Sequence, residues 1–233
     1  NQASIIASEV KWTPSGAYSG VAGDDLGRSV TITQGGVIAV GAPDKGTSTQ
    51  GAVILFDSYT DTSGTVIEST VAPDRLGYAV DASGEWVVAG GNGNGEVQIW
   101  RVIGEQRIEQ KISLPTGATA SFGQAVSIEG NTFVVGDPNA GTSGKVFVYQ
   151  LNTPTMQCGL VPSLDINAIT SPSSWGASRI GGWIDANGGN QWLAVSGNHI
   201  AVGAPNEGSG SGRVAWYADT SVNGNWATVN SGF

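Results

Sequence analysis

One short phrase recurs four times along this chain of 233 residues and limits the folds that it can adopt. Each copy is an apolar run that starts at a glycine-containing turn and ends on a second glycine. The copies are "GGVIAVGAP" at 35–43, "GEWVVAGGN" at 84–92, "GNTFVVGDP" at 130–138 and "GNHIAVGAP" at 197–205. The first three terminal glycines, Gly41, Gly90 and Gly136, stand 49 and 46 residues apart, a period that favours a repeated unit of several strands over helical repeats.

Each copy continues into a second apolar run that starts with glycine. These runs are "GAVILF" at 51–56, "GEVQIW" at 95–100, "GKVFVY" at 144–149 and "GRVAWY" at 212–217. In every one a valine lies two residues after the glycine and an aromatic residue lies five after it. Because successive side chains of a strand point to opposite faces, we expect the valine and the aromatic residue to bury opposite faces. Strands buried on both faces are typical of propeller blades that stack face to face.

A third element precedes three of the copies and reads as the first strand of each unit. It is "LGRSVTI" at 26–32, "LGYAVDA" at 76–82 and "FGQAVSI" at 122–128, whereas the fourth copy has "NQWLAVSGN" at 190–198. Alternating segments at 65–69, 107–114 and 225–229 supply outer strands. The sequence therefore predicts an all-β fold, a β-propeller of four or five four-stranded antiparallel blades.

The repeats divide the chain without a domain boundary, so residues 1–233 are predicted to form a single propeller domain. The predicted blade repeats are approximately 20–70, 71–117, 118–170 and 171–233. Residues 1–19 are expected to supply a strand that closes the ring. The segment 151–189 is expected to be an insertion or a degenerate blade.

Two of the copies carry a family resemblance. Phe122-Gly123 followed by "VVGDP", and Leu26-Gly27 followed by "AVGAP", resemble the FG-GAP repeat of integrin-α-type β-propellers. The resemblance covers most of residues 20–230 and implies a propeller fold. It does not extend to the calcium loops of that family, because the corresponding turns, "TQGG", "DASGEW" and "IEGN", hold too few carboxylates to surround a calcium ion. We therefore expect no metal and no cofactor.

Charge and composition exclude several classes of partner. A net charge of −9, with 10 Lys and Arg residues, disfavours binding to nucleic acid or to an anionic membrane surface. No apolar run is long enough to insert into a membrane. The low charged fraction of 12% favours an extracellular, secreted or virion-surface location. Cys158 has no second cysteine to pair with, and the single histidine, His199, lies in an apolar strand pattern rather than in a nucleophile's surroundings.

The loops that follow the repeated phrase, at 42–50, 91–94, 137–143 and 204–211, are predicted to share one face of the propeller with the connections between blades. That face carries the acids Asp24, Asp25, Asp44, Asp74, Asp137 and Glu207, and the long segment adds Trp175 and Trp183. Exposed Trp rings stack on sugars, and carboxylates bond to sugar hydroxyls. The predicted ligand-binding residues are therefore Asp44, Asp137, Glu207, Trp175 and Trp183. Turn-forming roles for the acids and packing roles for the two Trp residues are the alternatives.

The function predicted from these features is recognition or adhesion without catalysis. An extracellular or surface-exposed module would bind a glycan or a protein through the loops of one propeller face. A structural module of a cell wall, appendage or virion surface, which packs against copies of itself, is the alternative. A polysaccharide-acting enzyme with two acids drawn from different loops is a third hypothesis. No catalytic residue is assigned.

Overall fold

The computed structural model describes residues 17–104, 106–152, 157–160, 193–204, 212–219 and 226–231. In this part of the chain the strands form four sheets, and each sheet consists of four antiparallel strands that are consecutive in sequence. The described residues include no helix long and apolar enough to cross a membrane. The predicted all-β, antiparallel and four-stranded organisation is therefore confirmed at the level of the sheets.

The sheets follow one another along the chain. Sheet 1 contains β1 (Val30–Ile32), β2 (Ile38–Ala42), β3 (Ala52–Phe56) and β4 (Thr65–Glu68). Sheet 2 contains β5 (Ala79–Ser83), β6 (Trp86–Gly90), β7 (Val97–Ile103) and β8 (Gln106–Ile112). Sheet 3 contains β9 (Ala125–Glu129), β10 (Thr132–Asp137), β11 (Lys145–Asn152) and β12 (Gln157–Leu160). Sheet 4 contains β13 (Leu193–Ser196), β14 (His199–Ala204), β15 (Arg213–Asp219) and β16 (Trp226–Ser231).

The first strand of each of the first three sheets starts later than the sequence predicts. β1, β5 and β9 begin three or four residues after the predicted starts, and the Leu-Gly or Phe-Gly pair lies in the turn before each strand. The reason is the backbone of Gly27, Gly77 and Gly123, whose φ angles are 89°, 87° and 101°. Extended strands do not adopt such angles, and glycine does so without steric cost.

The outer strand of sheet 3 lies in the segment that was expected to be an insertion or a degenerate blade. β11 extends to Asn152, and β12 pairs with it so that Leu160 lies opposite Tyr149. Residues 151–160 therefore include strands of sheet 3 rather than the start of an insertion. The rest of that segment, and the ring-closing strand expected within residues 1–19, lie largely outside the described residues.

In sheets 1, 2 and 3 both faces of the third strand are buried, as the sequence predicts. In sheet 4 Tyr217 is buried but Val214 is 49% exposed, so the prediction is wrong for that valine. In sheet 1, Val53 packs into a core shared with sheet 2, whereas Phe56 packs on the opposite face with Ile54. The same division holds in sheets 2 and 3 for Val97 and Trp100 and for Val146 and Tyr149. Three of the cores thus each lie between two consecutive sheets, and the four sheets stack in sequence order. The cluster of Phe56 and Ile54 belongs to sheet 1 alone.

The first strands of consecutive sheets are neighbours, with β1 beside β5, β5 beside β9 and β9 beside β13. Asp81 of β5 accepts hydrogen bonds from the Ser127 hydroxyl (3.0 Å) and the Ile128 N–H (2.9 Å) of β9. The Ser127 hydroxyl oxygen in turn accepts the N–H of Val195 on β13, at 3.4 Å. These polar contacts therefore connect β5 to β9 and β9 to β13.

The two glycines of each repeat are joined by a backbone hydrogen bond. The N–H of Gly27 donates to the carbonyl oxygen of Gly41 at 2.9 Å, and the same bond links Gly77 to Gly90 (3.2 Å) and Gly123 to Gly136 (3.0 Å). The next sheet also approaches closely here. A Cβ atom on Gly41 would overlap the carbonyl oxygen of Gly77, and one on Gly90 would overlap that of Gly123. The repeated glycines therefore set both the turn within a sheet and the distance to the following sheet.

We predict that Gly90→Ala destabilises the protein by about 3 kcal/mol, because the added methyl group must push sheets 2 and 3 apart at their closest approach. The control is Gly35→Ala. Its added Cβ would have only the Thr33 hydroxyl nearby, at 3.8 Å, and should change stability by less than about 0.5 kcal/mol. Urea denaturation measures both changes. Similar losses in the two variants would contradict the role given to the glycine contact.

Candidate functional site

Antiparallel pairing places two kinds of segment at the same end of the stack: the loop between the second and third strands of each sheet, and the connector from one sheet to the next. We call this end the loop face. Its described segments are the loops 43–51, 91–96 and 138–144 and the connectors 69–78 and 113–124. This is the face on which the sequence analysis placed the candidate acids.

At sheet 1 the loop is tied to the residues that precede β1. The Asp44 N–H donates to the carbonyl oxygen of Asp24 at 3.2 Å, and the Lys45 ammonium pairs with the Asp24 carboxylate at 3.2 Å. Asp25 has a left-handed backbone, with φ of 52°, and its carboxylate pairs with the Arg28 guanidinium at 3.1 Å. The two acids before β1 are thus held by basic partners of their own sheet.

Asp44 joins sheet 1 to sheet 2 through Arg75. The Asp44 Oδ1 atom accepts from Arg75 Nε at 2.9 Å and lies 2.8 Å from a terminal guanidinium nitrogen. The backbone N–H of Arg75 donates to the carbonyl oxygen of Thr49 at 3.0 Å, so the connector is fixed by main chain and side chain. Both Asp44 and Arg75 side chains remain about one-third exposed. They form an accessible pair on an anchored backbone.

A buried aromatic ring joins these pairs. The guanidinium carbon of Arg28 lies 4.4 Å from the centre of the Tyr78 ring, and that of Arg75 lies 5.6 Å from it. Guanidinium groups at such distances are attracted to the face of an aromatic ring. We call the resulting group the charged loop cluster; it consists of Asp24, Asp25, Arg28, Asp44, Lys45, Arg75 and Tyr78. It carries three carboxylates and three basic groups across the junction of sheets 1 and 2.

Asp137 has a different setting on sheet 3. Its side chain is completely buried, and its carboxylate accepts hydrogen bonds from the Thr119 N–H, from the Thr119 hydroxyl at 2.7 Å and from the Asn139 N–H at 3.2 Å. Asn139 also donates to the Ser121 hydroxyl. These bonds fasten the loop after β10 to the connector before β9. In this arrangement Asp137 positions the loop, and a ligand-binding role for it stays a prediction.

A second buried carboxyl, Asp74, lies between the connector and the loop of sheet 2. Its Oδ1 atom accepts the Glu96 N–H at 3.3 Å, and its carbonyl oxygen accepts the Asn92 N–H at 2.9 Å. The Glu96 carboxylate beside it accepts from the Ser69 hydroxyl (2.8 Å) and from Gln98, and pairs with the Lys111 ammonium at 2.8 Å. The two acids come from different segments, as an acid pair of a glycosidase would, but Asp74 is fully buried. Their contacts fasten the loop to the connector.

The environments of these two acids separate their pKa values. Burial, with the negative charge of Glu96 next to it, raises the pKa of Asp74 from 3.8 to about 7. Burial also acts to raise the pKa of Glu96, but hydrogen bonds from Lys111, Gln98 and Ser69 outweigh it and lower that pKa. At pH values below about 7 and above the lowered pKa of Glu96, the pair therefore holds a proton on Asp74 beside an ionised Glu96.

The structure separates the predicted site residues. Asp44 belongs to the partly exposed cluster at sheets 1 and 2, whereas Asp137 is buried at sheet 3. Glu207, Trp175 and Trp183 lie outside the described residues. The sequence analysis located the acids but missed the basic partners Arg28 and Arg75, each of which lies within two residues of a Leu-Gly pair. Their position next to the repeated Leu-Gly pairs was the sequence signal that could have identified them.

The described ranges contain no group of three or more His, Cys, Asp or Glu side chains placed to hold a metal ion. The absence of a metal and of a cofactor stays a prediction. One cavity of about 300 Å³ lies on the outer side of sheet 1. It is lined by residues that include Tyr18, Leu26, Ile38, Val40, Phe56 and Tyr59.

Comparison with protein families identifies the repeat. Residues 110–149, from the end of β8 into the third strand of sheet 3, match the model of the FG-GAP repeat. The chain therefore contains an FG-GAP repeat, which confirms the resemblance predicted from Phe122-Gly123 and "VVGDP". The glycine bond of that repeat recurs between Gly27 and Gly41 and between Gly77 and Gly90. No curated protein sequence matches the chain.

Solved structures match the fold at low identity. A provisionally assigned 6-phosphogluconolactonase from Bacteroides uniformis ATCC 8492 aligns with a TM-score of 0.54 and 11% identity, over 87% of this chain and 53% of that one. A complex of KlAtg21 with the coiled coil of AgAtg16 aligns with a TM-score of 0.49 and 10% identity, over 87% of this chain and 56% of that one. This chain thus spans little more than half the length of either. The first likeness concerns the fold alone.

We predict that Asp74→Asn stabilises the protein relative to wild type by an amount that grows as the pH rises from about 4 to about 7. An acid whose pKa is raised on folding favours the folded state below its unfolded pKa, and that contribution is lost as the pH rises through the folded pKa. Asparagine cannot ionise, so the variant avoids this loss. Urea denaturation at several pH values measures the difference between the two proteins.

The control for this prediction is Asp61→Asn. Hydrogen bonds from the backbone of Ser63 and Gly64 lower the pKa of Asp61, so its contribution is lost only at acidic pH. The difference between Asp61→Asn and wild type should therefore stay constant between pH 5 and 7. A constant difference for Asp74→Asn over the same range would contradict the assignment.

Proposed function

We propose that this chain is a non-enzymatic recognition or adhesion module, which binds a glycan or a protein through its loop face. The observation that carries the proposal is the charged loop cluster. Asp44 and Arg75 are accessible, yet their backbones are fixed by hydrogen bonds to Asp24 and Thr49 on tightly packed sheets. Fixed polar groups lose little conformational freedom when a ligand binds, which favours recognition.

The proposal includes the prediction that the four sheets form a β-propeller. Each of the four sheets would be one blade, and the neighbouring first strands β1, β5, β9 and β13 would line the axis. The FG-GAP repeat at residues 110–149 supports this assignment. In such a fold the loops at one end can vary while the sheets keep their packing.

The chemistry of the cluster supports a polar ligand. Carboxylates and guanidinium groups that face solvent bond to sugar hydroxyls or to charged side chains of a protein. If Trp175 and Trp183 reach the same face, they add flat apolar surfaces on which sugar rings stack. The low charged fraction and the net charge of −9 support an extracellular, secreted or virion-surface location, without nucleic acid or membrane insertion.

The test is binding to an array of immobilised glycans, followed by titration of each glycan retained. Asp44→Ala, Lys45→Ala and Trp183→Ala should each weaken binding at least about tenfold, as truncation of a central contact does. The matched control is Glu85→Ala. It removes a partly exposed ion pair with Arg101 (3.0 Å) at the opposite end of the stack and should leave affinity unchanged.

Equal losses in Glu85→Ala and in the loop-face variants would contradict the assignment of the binding face. An array on which no glycan is retained would contradict the glycan form of the proposal. Thermal unfolding of every variant shows whether a loss of binding comes from the face or from the fold.

A further inference from the structure

The outer side of sheet 1 has apolar residues like those of the buried junctions, but no sheet of the described part of the chain covers it. Phe56 on this side is buried, with Tyr18 packed on it, whereas β1 is exposed. We call the side of each sheet that faces the preceding sheet its leading face, and the side that faces the following sheet its trailing face. Val30, Val80 and Val126 each lie three residues after the glycine of a Leu-Gly or Phe-Gly pair. Val80 and Val126 are buried on leading faces against the preceding sheet, whereas Val30 is 65% exposed.

The next position of the same face repeats the contrast. Ile128 of β9 is buried against sheet 2, whereas the equivalent Ile32 of β1 is 61% exposed. Exposed apolar side chains at positions that the other sheets bury mark a surface made for contact. Among the residues that the structure describes, no partner sheet covers the leading face of sheet 1, in contrast to the other leading faces.

The trailing face of sheet 4 is open in the same way. Val214 of β15 is equivalent to Val53, Val97 and Val146, which are completely buried on the trailing faces of sheets 1, 2 and 3. Val214 itself is 49% exposed. Its neighbour on the same face, Trp216, is only partly buried. The last sheet therefore also presents an apolar face that no described sheet covers.

The two open faces are of complementary kinds. Each of the three junctions within the chain joins the trailing face of one sheet to the leading face of the next. In these junctions the leading face contributes the large aromatic residues Trp100, Tyr149 and Tyr217, and the trailing face contributes branched residues such as Val53, Val97 and Val146. Phe56 on sheet 1 and Val214 on sheet 4 hold the corresponding positions.

The leading face of sheet 1 also has space for inserted side chains. The 300 Å³ cavity on this face has Ile38, Val40 and Phe56 among its lining residues. Tyr18 covers part of the Phe56 ring, with the ring centres 5.1 Å apart, and Tyr59 at the rim is exposed. A trailing face that presents branched side chains and a Trp would fill such a cavity.

We propose that the leading face of sheet 1 packs against the trailing face of sheet 4 of a second copy of this chain. Two such contacts would close two four-sheet stacks into one ring. Eight sheets lie within the range of four to eight blades that propellers use, and a head-to-tail contact that closes leaves neither face open. The interface continues the three junctions already present within each chain. It leaves the loop face free, so it stands independently of the ligand proposed above.

The test is the mass of the 233-residue chain in solution, by light scattering or sedimentation at about 0.15 M salt, where repulsion between copies of net charge −9 is screened. The wild type should have the mass of two chains. Ile32→Glu and Val214→Glu, each of which places a charge on one open face, should have the mass of one chain. Val71→Glu, at an exposed position on a connector, is the matched control and should remain a pair.

Mixing the two single variants gives the decisive result. The first retains an intact trailing face and the second an intact leading face, so an equimolar mixture should regain a two-chain species although neither variant pairs alone. Val30→Glu replaces Ile32→Glu if the latter fails to fold, as judged by thermal unfolding.

A monomeric wild type would overturn the proposal, because the open faces would then be covered within one chain or by a different partner. A dimer that survives both variants, or a mixture that stays monomeric, would also overturn it. Loss of glycan binding without a change of mass concerns the loop face alone, so the two proposals fail separately.

Discussion

The close approach of backbone to backbone at the paired glycines is the contact on which the rest of the structure depends. Gly77 donates to Gly90 within its own sheet, and its carbonyl oxygen occupies the space that a side chain on Gly41 would need. One residue therefore sets the turn into a sheet and the distance to the sheet before it. The apolar cores fill the space that this spacing leaves, and their close packing makes the spacing stable.

The sequence predicts the regular part of the fold because period-2 burial can be read residue by residue. Valine and an aromatic residue at odd separation indicated two buried faces, and Val97 and Trp100 do enter different cores. The start of β1 was predicted four residues early, since an apolar residue beside Gly27 looks like a strand until its φ of 89° is known. β12 was not predicted, because "QCGL" has no alternation to reveal it.

The candidate site was predictable only in outline. Strand order placed the acids at one end of the stack, but the partner of Asp44 is Arg75, which lies 31 residues away in the next repeat. The sequence also gave no means to distinguish Asp44, which is partly exposed, from Asp137, which is buried with Thr119. Burial depends on how connector and loop fold over each other, and neither segment has a periodic pattern.

Each of the two described connectors is hydrogen-bonded to the loop of the sheet that follows it, but through different polar side chains. In the first, Asp74 accepts a hydrogen bond from the N–H of Glu96 in the loop; in the second, the Thr119 hydroxyl donates to the Asp137 carboxylate. Both connectors nevertheless have a glycine as their second-last residue, Gly77 or Gly123, with the same bond to its own sheet. A connector can therefore gain, lose or exchange residues before that glycine while the sheet after it keeps its place. Substitutions in the loop face therefore leave the packed core unchanged, so the loop face can diversify in evolution while the sheets and their packing are conserved.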